Sequence, residues 1–387
     1  MNRTTNKGES PRARAIRVIR GWVQEGKLRP GDILPTELAL CEQLDMARGT
    51  IRAALQELTR SGVLSARKGC RRTIAEPAYP VSSTMRRTVV LLSGLREEPR
   101  EWQGRPGKLH AIEGSALMSL QREGFHGLTV HPERLAPDEL VNLCHDCPAG
   151  VLIPDPFAVR EGAVSMTEAF RSNGVPVVLN ADGPRLAGFD RVISDQALGA
   201  RLLVRRLLAR GCRRILRVWT ADPSLYWLDA RNRGFEETMR EAGIGPLPPV
   251  TVRGIPDNSA GDRTVFETRS RLYAGYLIEP LLRSQPPPDV LMLTSDDEVA
   301  PVASACRLLG VDPARTPLIT GYDNMYRQLP ERAFEPLMPI FTLDKCNVRI
   351  GASMVSLLQQ RIAGTLPPDP QLVILEPLLV VPAAAGA

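Results

Sequence analysis

Apolar positions recur every three or four residues in three short N-terminal stretches, then give way near residue 88 to compact apolar runs. Within "RARAIRVIRGWVQE" (12–25), Ile16, Ile19 and Val23 fall at helical spacing, and the glycines and proline of "EGKLRPGD" stop the helix. The stretch "LPTELALCEQL" predicts a second helix, with Thr36 as its N-cap and Leu40, Cys41 and Leu44 turned inward. In "MARGTIRAALQEL" (46–58), Ile51, Ala54, Leu55 and Leu58 share one face of a third, which Ser61-Gly62 ends. Next, "GVLSARKGCRRTIAE" alternates apolar and polar residues around Lys68-Gly69, the pattern of a β-hairpin with a basic tip. Three helices and a basic hairpin predict a winged helix-turn-helix over residues 1–75.

The Pro/Ser-rich "EPAYPVSSTMRR" (76–87) has no apolar period and reads as a linker. Beyond it, apolar runs at 88–93, 150–154, 175–180, 214–219, 289–295, 317–322 and 339–344 alternate with helical stretches. Strands buried on both faces have this character because helices cover the sheet on each side. Residues 88–387 are therefore expected to form a doubly wound α/β domain, and its length favours two lobes with a cleft between them.

Charge sharpens this division. The first 75 residues hold 15 Lys/Arg against 7 Asp/Glu, an excess of +8 that leaves −2 for the other 312. A local cationic excess points to a polyanionic partner. No apolar run is long enough to span a bilayer and the start lacks a secretory h-region, so a cytoplasmic protein without membrane contact is expected. Seven scattered cysteines do not form a disulfide framework. Cys144 and Cys147 are a close pair, but structural zinc takes four ligands and no second pair stands at usable spacing, so no metal or cofactor is expected. A G-x-S-x-G elbow, a P-loop and H-E-x-x-H are all lacking, which argues against an enzyme.

A recognition helix enters the major groove with its first turns nearest the bases, so Arg48 and Arg52, one turn apart, can meet successive base edges or phosphates. Arginine's planar fork suits guanine O6 and N7. Thr50 can donate to a phosphate, and Gly49 lets the backbone approach closely. Leu34-Pro35-Thr36-Glu37-Leu38, the run from Leu44 to Leu55 and the wing Lys68-Gly69-Cys70-Arg71 together resemble the DNA-binding domain of the GntR family of bacterial transcription regulators. The DNA-contacting set expected from residues and resemblance is Thr36, Arg48, Gly49, Thr50 and Arg52, with Lys68, Gly69, Arg71 and Arg72 of the wing. Three positions depart from the family pattern: Leu38 stands where an arginine is usual, Ala47 replaces a capping serine, and Arg71 replaces the wing's second glycine.

The segments "RVISDQALGARLLVRRLLARGCRRI" (191–215), "ARNRGFEETMREAG" (230–243), "LTSDDEVA" (293–300), "PLITGYDN" (317–324) and "IFTLDKCNVRIGASMVSLL" (340–358) resemble, in order, the effector domain of the LacI family, related to periplasmic sugar-binding proteins. With the head, the chain resembles the arabinose-repressor type of GntR regulator. Ligands of open α/β sheets sit outside the carboxyl ends of the strands. Asp296 follows such a strand and is expected to accept sugar hydroxyls; Arg231 matches the family's effector-contacting arginine. Asp155, Phe157, Asn180, Asp182 and Asp323 follow other strands, and Trp227 offers a ring face to a sugar. The resemblance implies a DNA-binding regulator, a repressor, that responds to a sugar or sugar derivative and binds palindromic half-sites in double-stranded DNA as a homodimer. The alternatives are a sugar-binding protein or a carbohydrate enzyme with an incidental basic head. No DNA-gripping hinge helix is identifiable in the linker.

Overall fold

The computed structural model describes residues 10–24, 27–29, 31–60, 63–65, 71–74, 84–93, 108–132, 135, 139, 143–144, 148–154, 161–222, 224–256, 258 and 261–382. The chain divides into two compact units, Met1–Arg86 and Arg87–Ala387.

In the first unit, α1 (Pro11–Gln24), α2 (Glu37–Leu44) and α3 (Arg48–Arg60) precede strands β1 (Leu64–Ser65) and β2 (Thr73–Ile74), which pair antiparallel. The apolar stripe of α3 is its buried face: Ile51, Ala54, Leu55 and Leu58 are all at most 1% exposed and meet Ile19, Leu40, Leu64 and Ile74. Full burial of a side chain of this size contributes about 1.5–3 kcal/mol. The Thr36 hydroxyl accepts from the Ala39 amide and starts α2. Asp45 ends it in the left-handed conformation (φ 53°), which short polar residues tolerate better than branched ones, so the turn into α3 is tight. The wing is a short three-stranded ribbon, because Ile33 bridges Thr73 and the Leu34 amide bonds the Arg72 carbonyl at 2.9 Å. Its tip, with Lys68 and Gly69, lies outside the described residues, as does linker segment 75–83.

The second unit holds two parallel sheets. Lobe 1 has strand order β4-β3-β5-β6-β7-β13, built from β3 (Thr88–Leu92), β4 (His126–Val130), β5 (Gly150–Ile153), β6 (Val177–Leu179), β7 (Asp190–Ser194) and β13 (Leu372–Leu375). Lobe 2 has order β9-β8-β10-β11, from β8 (Ile215–Trp219), β9 (Val250–Thr251), β10 (Val290–Leu293) and β11 (Leu318–Thr320). Both sheets therefore reverse their winding beside their first strand, which opens a crevice at the carboxyl ends. Strands β12 (Thr342–Asp344) and β14 (Leu378–Val380) pair antiparallel beside lobe 2. The helices α4 (Lys108–Arg122), α5 (Glu161–Ser172) and α10 (Asn347–Ile362) cover lobe 1. Lobe 2 carries α6 (Gln196–Ala209), α7 (Tyr226–Glu241), α8 (Arg263–Ile278) and α9 (Val299–Leu308).

The unbroken apolar runs follow from double coverage. Val89 and Leu91 of β3 pack with Ile112 of α4 and Met354 of α10, whereas Val90 and Leu92 face Phe170 of α5. Lobe 2 repeats the arrangement, with Trp219, Phe235 and Phe341 on one face and Tyr273, Leu291 and Val302 on the other. Among the described residues no helix is long and apolar enough to cross a membrane.

Candidate nucleic-acid interface and effector cleft

On the head, three of the expected DNA contacts converge on one carboxylate. Glu37, the first residue of α2, receives Arg52 at 3.1 Å, Arg72 at 3.3 Å and Arg48 at 3.4 Å. The Arg52 hydrogen bond holds its carboxyl below the usual range, against the opposing effect of burial. Glu37 is 20% exposed, while Arg48 and Arg52 remain 61% and 52% exposed, so it anchors the inner side of a cationic patch and leaves the outer guanidinium edges in solvent. Sequence reading did not single out Glu37; its partners lie 11, 15 and 35 residues away. A Cβ added at Gly49 would meet nothing within 4 Å, so the protein itself does not require glycine there. Thr36 serves as a cap, Thr50 is half-buried in the first turn of α3, and Arg71 is exposed beside β2.

In the second unit, a cleft between the lobes has a volume of about 550 Å³ counted to its open mouth. Lobe 1 contributes Asn180 after β6 and Ser194 at the end of β7; lobe 2 contributes Gln196, Tyr226, Trp227, Arg231 and Thr294. Lys345 and Asn347 enter from the crossing into α10. Arg231 is 2% exposed and held from several sides: Nε donates to Gln196 Oε1 (3.0 Å) and Nη1 to the Thr294 carbonyl (2.8 Å). Its guanidinium lies 3.4 Å from the Tyr322 ring centroid and 4.8 Å from that of Trp227. Ser194 Oγ is buried with no hydrogen-bond partner.

Of the residues expected to meet an effector, the structure thus brings Arg231, Asn180 and Trp227 into the cleft. Asp182 lies in an adjoining hollow that shares Ser194, Gln196 and Tyr226 with it, and is paired with Arg191. Asp155 and Phe157 fall outside the described residues. The expectation for Asp296 is corrected. This side chain is 1% exposed and does not line the cleft: it accepts from the Met325 amide (2.7 Å), the Tyr326 amide (3.2 Å) and Thr342 Oγ1 (2.7 Å). Burial pushes its carboxyl up to about 7 despite these donors. It ties the segment after β11 to β12. Asp323 is corrected likewise: it accepts from Ser295 Oγ (3.0 Å) and pairs with Lys345 Nζ (2.5 Å), reaching the cleft only through that lysine. Ser194, Gln196, Thr294, Lys345 and Asn347 were missed as individuals. Ser194 and Thr294 stand at strand carboxyl ends, the signal that found Asn180.

The molecule is therefore a two-part protein, a winged helix-turn-helix unit and a two-lobed α/β unit with a polar interlobe cleft. Residues 11–73 match the model of bacterial regulatory proteins of the gntR family, and residues 204–382 that of the periplasmic binding protein-like domain. The chain joins a gntR-type head to a periplasmic-binding-protein-like domain. Among solved structures it is similar to the transcriptional regulator CelR in complex with cellobiose, at 18% identity and TM-score 0.57, covering 90% of this chain and 99% of that one. A second, from Burkholderia thailandensis, described as a possible ribose operon repressor, gives 18% identity and TM-score 0.56 over 77% and 99%. A LacI family transcriptional regulator from Enterococcus faecium with bound ribose gives 17% and 0.54 over 76% and 96%.

Proposed function

We propose that this protein is a transcriptional regulator, a repressor, whose head binds palindromic half-sites in double-stranded DNA and whose cleft senses a sugar or sugar derivative. The observation that carries the reading is the pairing, in one chain, of a gntR-type head bearing exposed arginines with a cleft walled by both lobes. The sugars bound by the structurally similar regulators support the ligand class. Two half-sites call for a homodimer, and a DNA-bound regulator works in the cytoplasm and catalyses nothing. We take residues 1–75 as the head, 76–87 as the connector and 88–387 as the sensing domain. Thr50, Gly49, Lys68, Gly69 and Arg71 join Arg48, Arg52 and Arg72 in the DNA contact; Arg231, Asn180 and Trp227 contact the effector.

The test is Arg48→Ala and Arg52→Ala, with operator affinity followed against salt. Loss of a base contact relaxes discrimination at one base pair by about 1–3 kcal/mol, whereas loss of a phosphate contact flattens the salt slope by about one. Unchanged affinity, specificity and slope in both variants would remove the basis of the DNA-binding reading.

A further inference from the structure

The charged side chains described on the cleft wall, Arg231 and Lys345, are both cationic. Among the described residues that line it there is no Asp or Glu. Neutral polyols are commonly held by carboxylates that accept their hydroxyl protons. Of the three side-chain amides on this wall, Asn180, Gln196 and Asn347, Gln196 already gives its oxygen to Arg231. The neighbouring carboxylates are also engaged: Asp323 by Lys345, Asp182 by Arg191, Asp229 by Arg233, Asp297 by Arg269, while Asp195 caps α6. Arg231 is the cation without such a partner. It is 2% exposed, pairs with no carboxylate among the described residues, and gives its Nε and Nη1 hydrogen bonds to neutral acceptors. A buried guanidinium without a counter-charge is costly, and an anionic ligand removes that cost.

Two helix starts add to this field. The first turn of α7 supplies Tyr226 and Trp227, and that of α10 supplies Asn347; neither helix has a side-chain cap, whereas Asp195 caps α6 and Asp262 caps α8. Uncapped first-turn amides favour anions, here against the opposing charges of Asp229 in the first turn of α7 and of Asp344, which holds the Cys346 amide before α10. Independently of the helices, Ser194 is 4% exposed, lines the cleft, and its Oγ finds no partner.

We propose that the effector is an anionic polyol, a sugar acid or a sugar phosphate, whose oxyanion is held by Arg231, Ser194 and the amides that open α10. This rests on the reading of the cleft as the sensing site and names the ligand's charge. The shared chemistry is a small oxyanion on a hydroxylated carbon frame.

Binding to the full chain is measured by calorimetry at matched ionic strength for glucose, glucuronate and glucose 6-phosphate, and for ribose, ribonate and ribose 5-phosphate. At least one anion is expected to bind about tenfold or more tightly than its neutral parent, a difference of about 1.4 kcal/mol. The carboxylate and phosphate arms then decide between the two sources. Asn347→Asp is the discriminating variant, because aspartate has the size of asparagine while its charge repels an oxyanion. It is expected to lower the ratio of anion to neutral-sugar affinity about tenfold or more, a readout that a general loss of stability would not move. Neutral sugars that bind as tightly as the anions, an Asn347→Asp protein with that ratio undiminished, or a panel in which no anion binds would each overturn the proposal. A neutral sugar that binds and alters operator affinity would overturn this proposal and leave the regulator reading intact.

Discussion

Replacing Asp296 separates a carboxylate that positions the cleft from one that touches the ligand. In Asp296→Ala, the amides of Met325 and Tyr326 and the hydroxyl of Thr342 lose their acceptor in a site only 1% exposed. A buried donor left unsatisfied costs about 1–3 kcal/mol. The two fixed amides dominate, because the hydroxyl can rotate, and relief of a desolvated carboxyl offsets part of the loss. The expected net effect is about 3 kcal/mol of unfolding free energy. Asp296→Asn keeps one oxygen for both amides and turns its NH2 toward Thr342 Oγ1, so it should lose about 1 kcal/mol or less.

The sign with pH follows from the direction of the shift. Burial raises the carboxyl from 3.8 to about 7, so between those values the folded state holds a proton that the unfolded state has released. Stability therefore falls as pH rises through this window, and Asp296→Asn removes that share of the slope, at most about 4 kcal/mol in total. Urea denaturation from pH 4 to 8, with calorimetry of whichever compound binds, reads both effects. Asp296→Asn should leave ligand affinity within about threefold, less than the tenfold that 1.4 kcal/mol represents. A tenfold loss of ligand affinity with unchanged stability would refute the positioning role and return Asp296 to the ligand.

Glu298, whose carboxyl burial pushes up to about 8, accepts from Thr220 Oγ1 (2.5 Å) and the Thr294 amide (3.1 Å). Its native proton makes stability fall as pH rises toward 8, and Glu298→Gln should flatten that fall in the same denaturation series. Gly351→Ala places a methyl 2.2 Å from the Ile112 carbonyl oxygen where α10 crosses α4, so overpacking should lower unfolding free energy by about 1–3 kcal/mol. Gly49→Ala meets nothing in the protein and should leave the melting temperature unchanged or raise it, by at most about 1 kcal/mol in stability. Weaker operator binding by that variant in a gel-shift titration would identify the close approach of DNA as what requires the glycine.

Periodicity revealed the head because its core is local: the stripe from Ile51 to Leu58 is the buried face of α3. It revealed seven strands of the larger unit for the same reason, since β3, β5, β6, β8, β10, β11 and β12 carry short apolar runs. Strand β4 was missed because it lies at the sheet edge with residues 126–129 exposed, and β9 because it is only 2 residues long; β7, β13 and β14 were missed as well. The rule that ligands gather at strand ends located Asn180, yet it cannot tell on which side of the chain a side chain turns. Asp296 turns inward to Met325, while Thr294, two residues earlier, lines the cleft. Glu37 was invisible for another reason: its importance lies in three arginines that only the turn after α2 and the wing bring together.

The chain passes between the lobes three times, at Ser194–Gln196, at Asp344–Asn347 and at Leu375–Leu378, and the cleft lies at the first two. Each crossing is braced. Asp195 caps α6 while its amide bonds the Leu375 carbonyl, which ties the first crossing to the third. Cys346 takes a left-handed conformation (φ 61°) with its amide on Asp344 Oδ1, so the second is a tight bend into α10. A ligand shifts a conformational equilibrium only by the difference in its affinity for the two states. One that met only Arg231 and Thr294 would bind lobe 2 equally well at any lobe angle and would transmit nothing. Contacts to Ser194 and Asn180 across the gap, and to the start of α10, depend on that angle. In the proposed mechanism these contacts make binding and closure a single event, so weakening the lobe 1 side by Ser194→Ala should reduce the ligand's effect on operator affinity along with its binding.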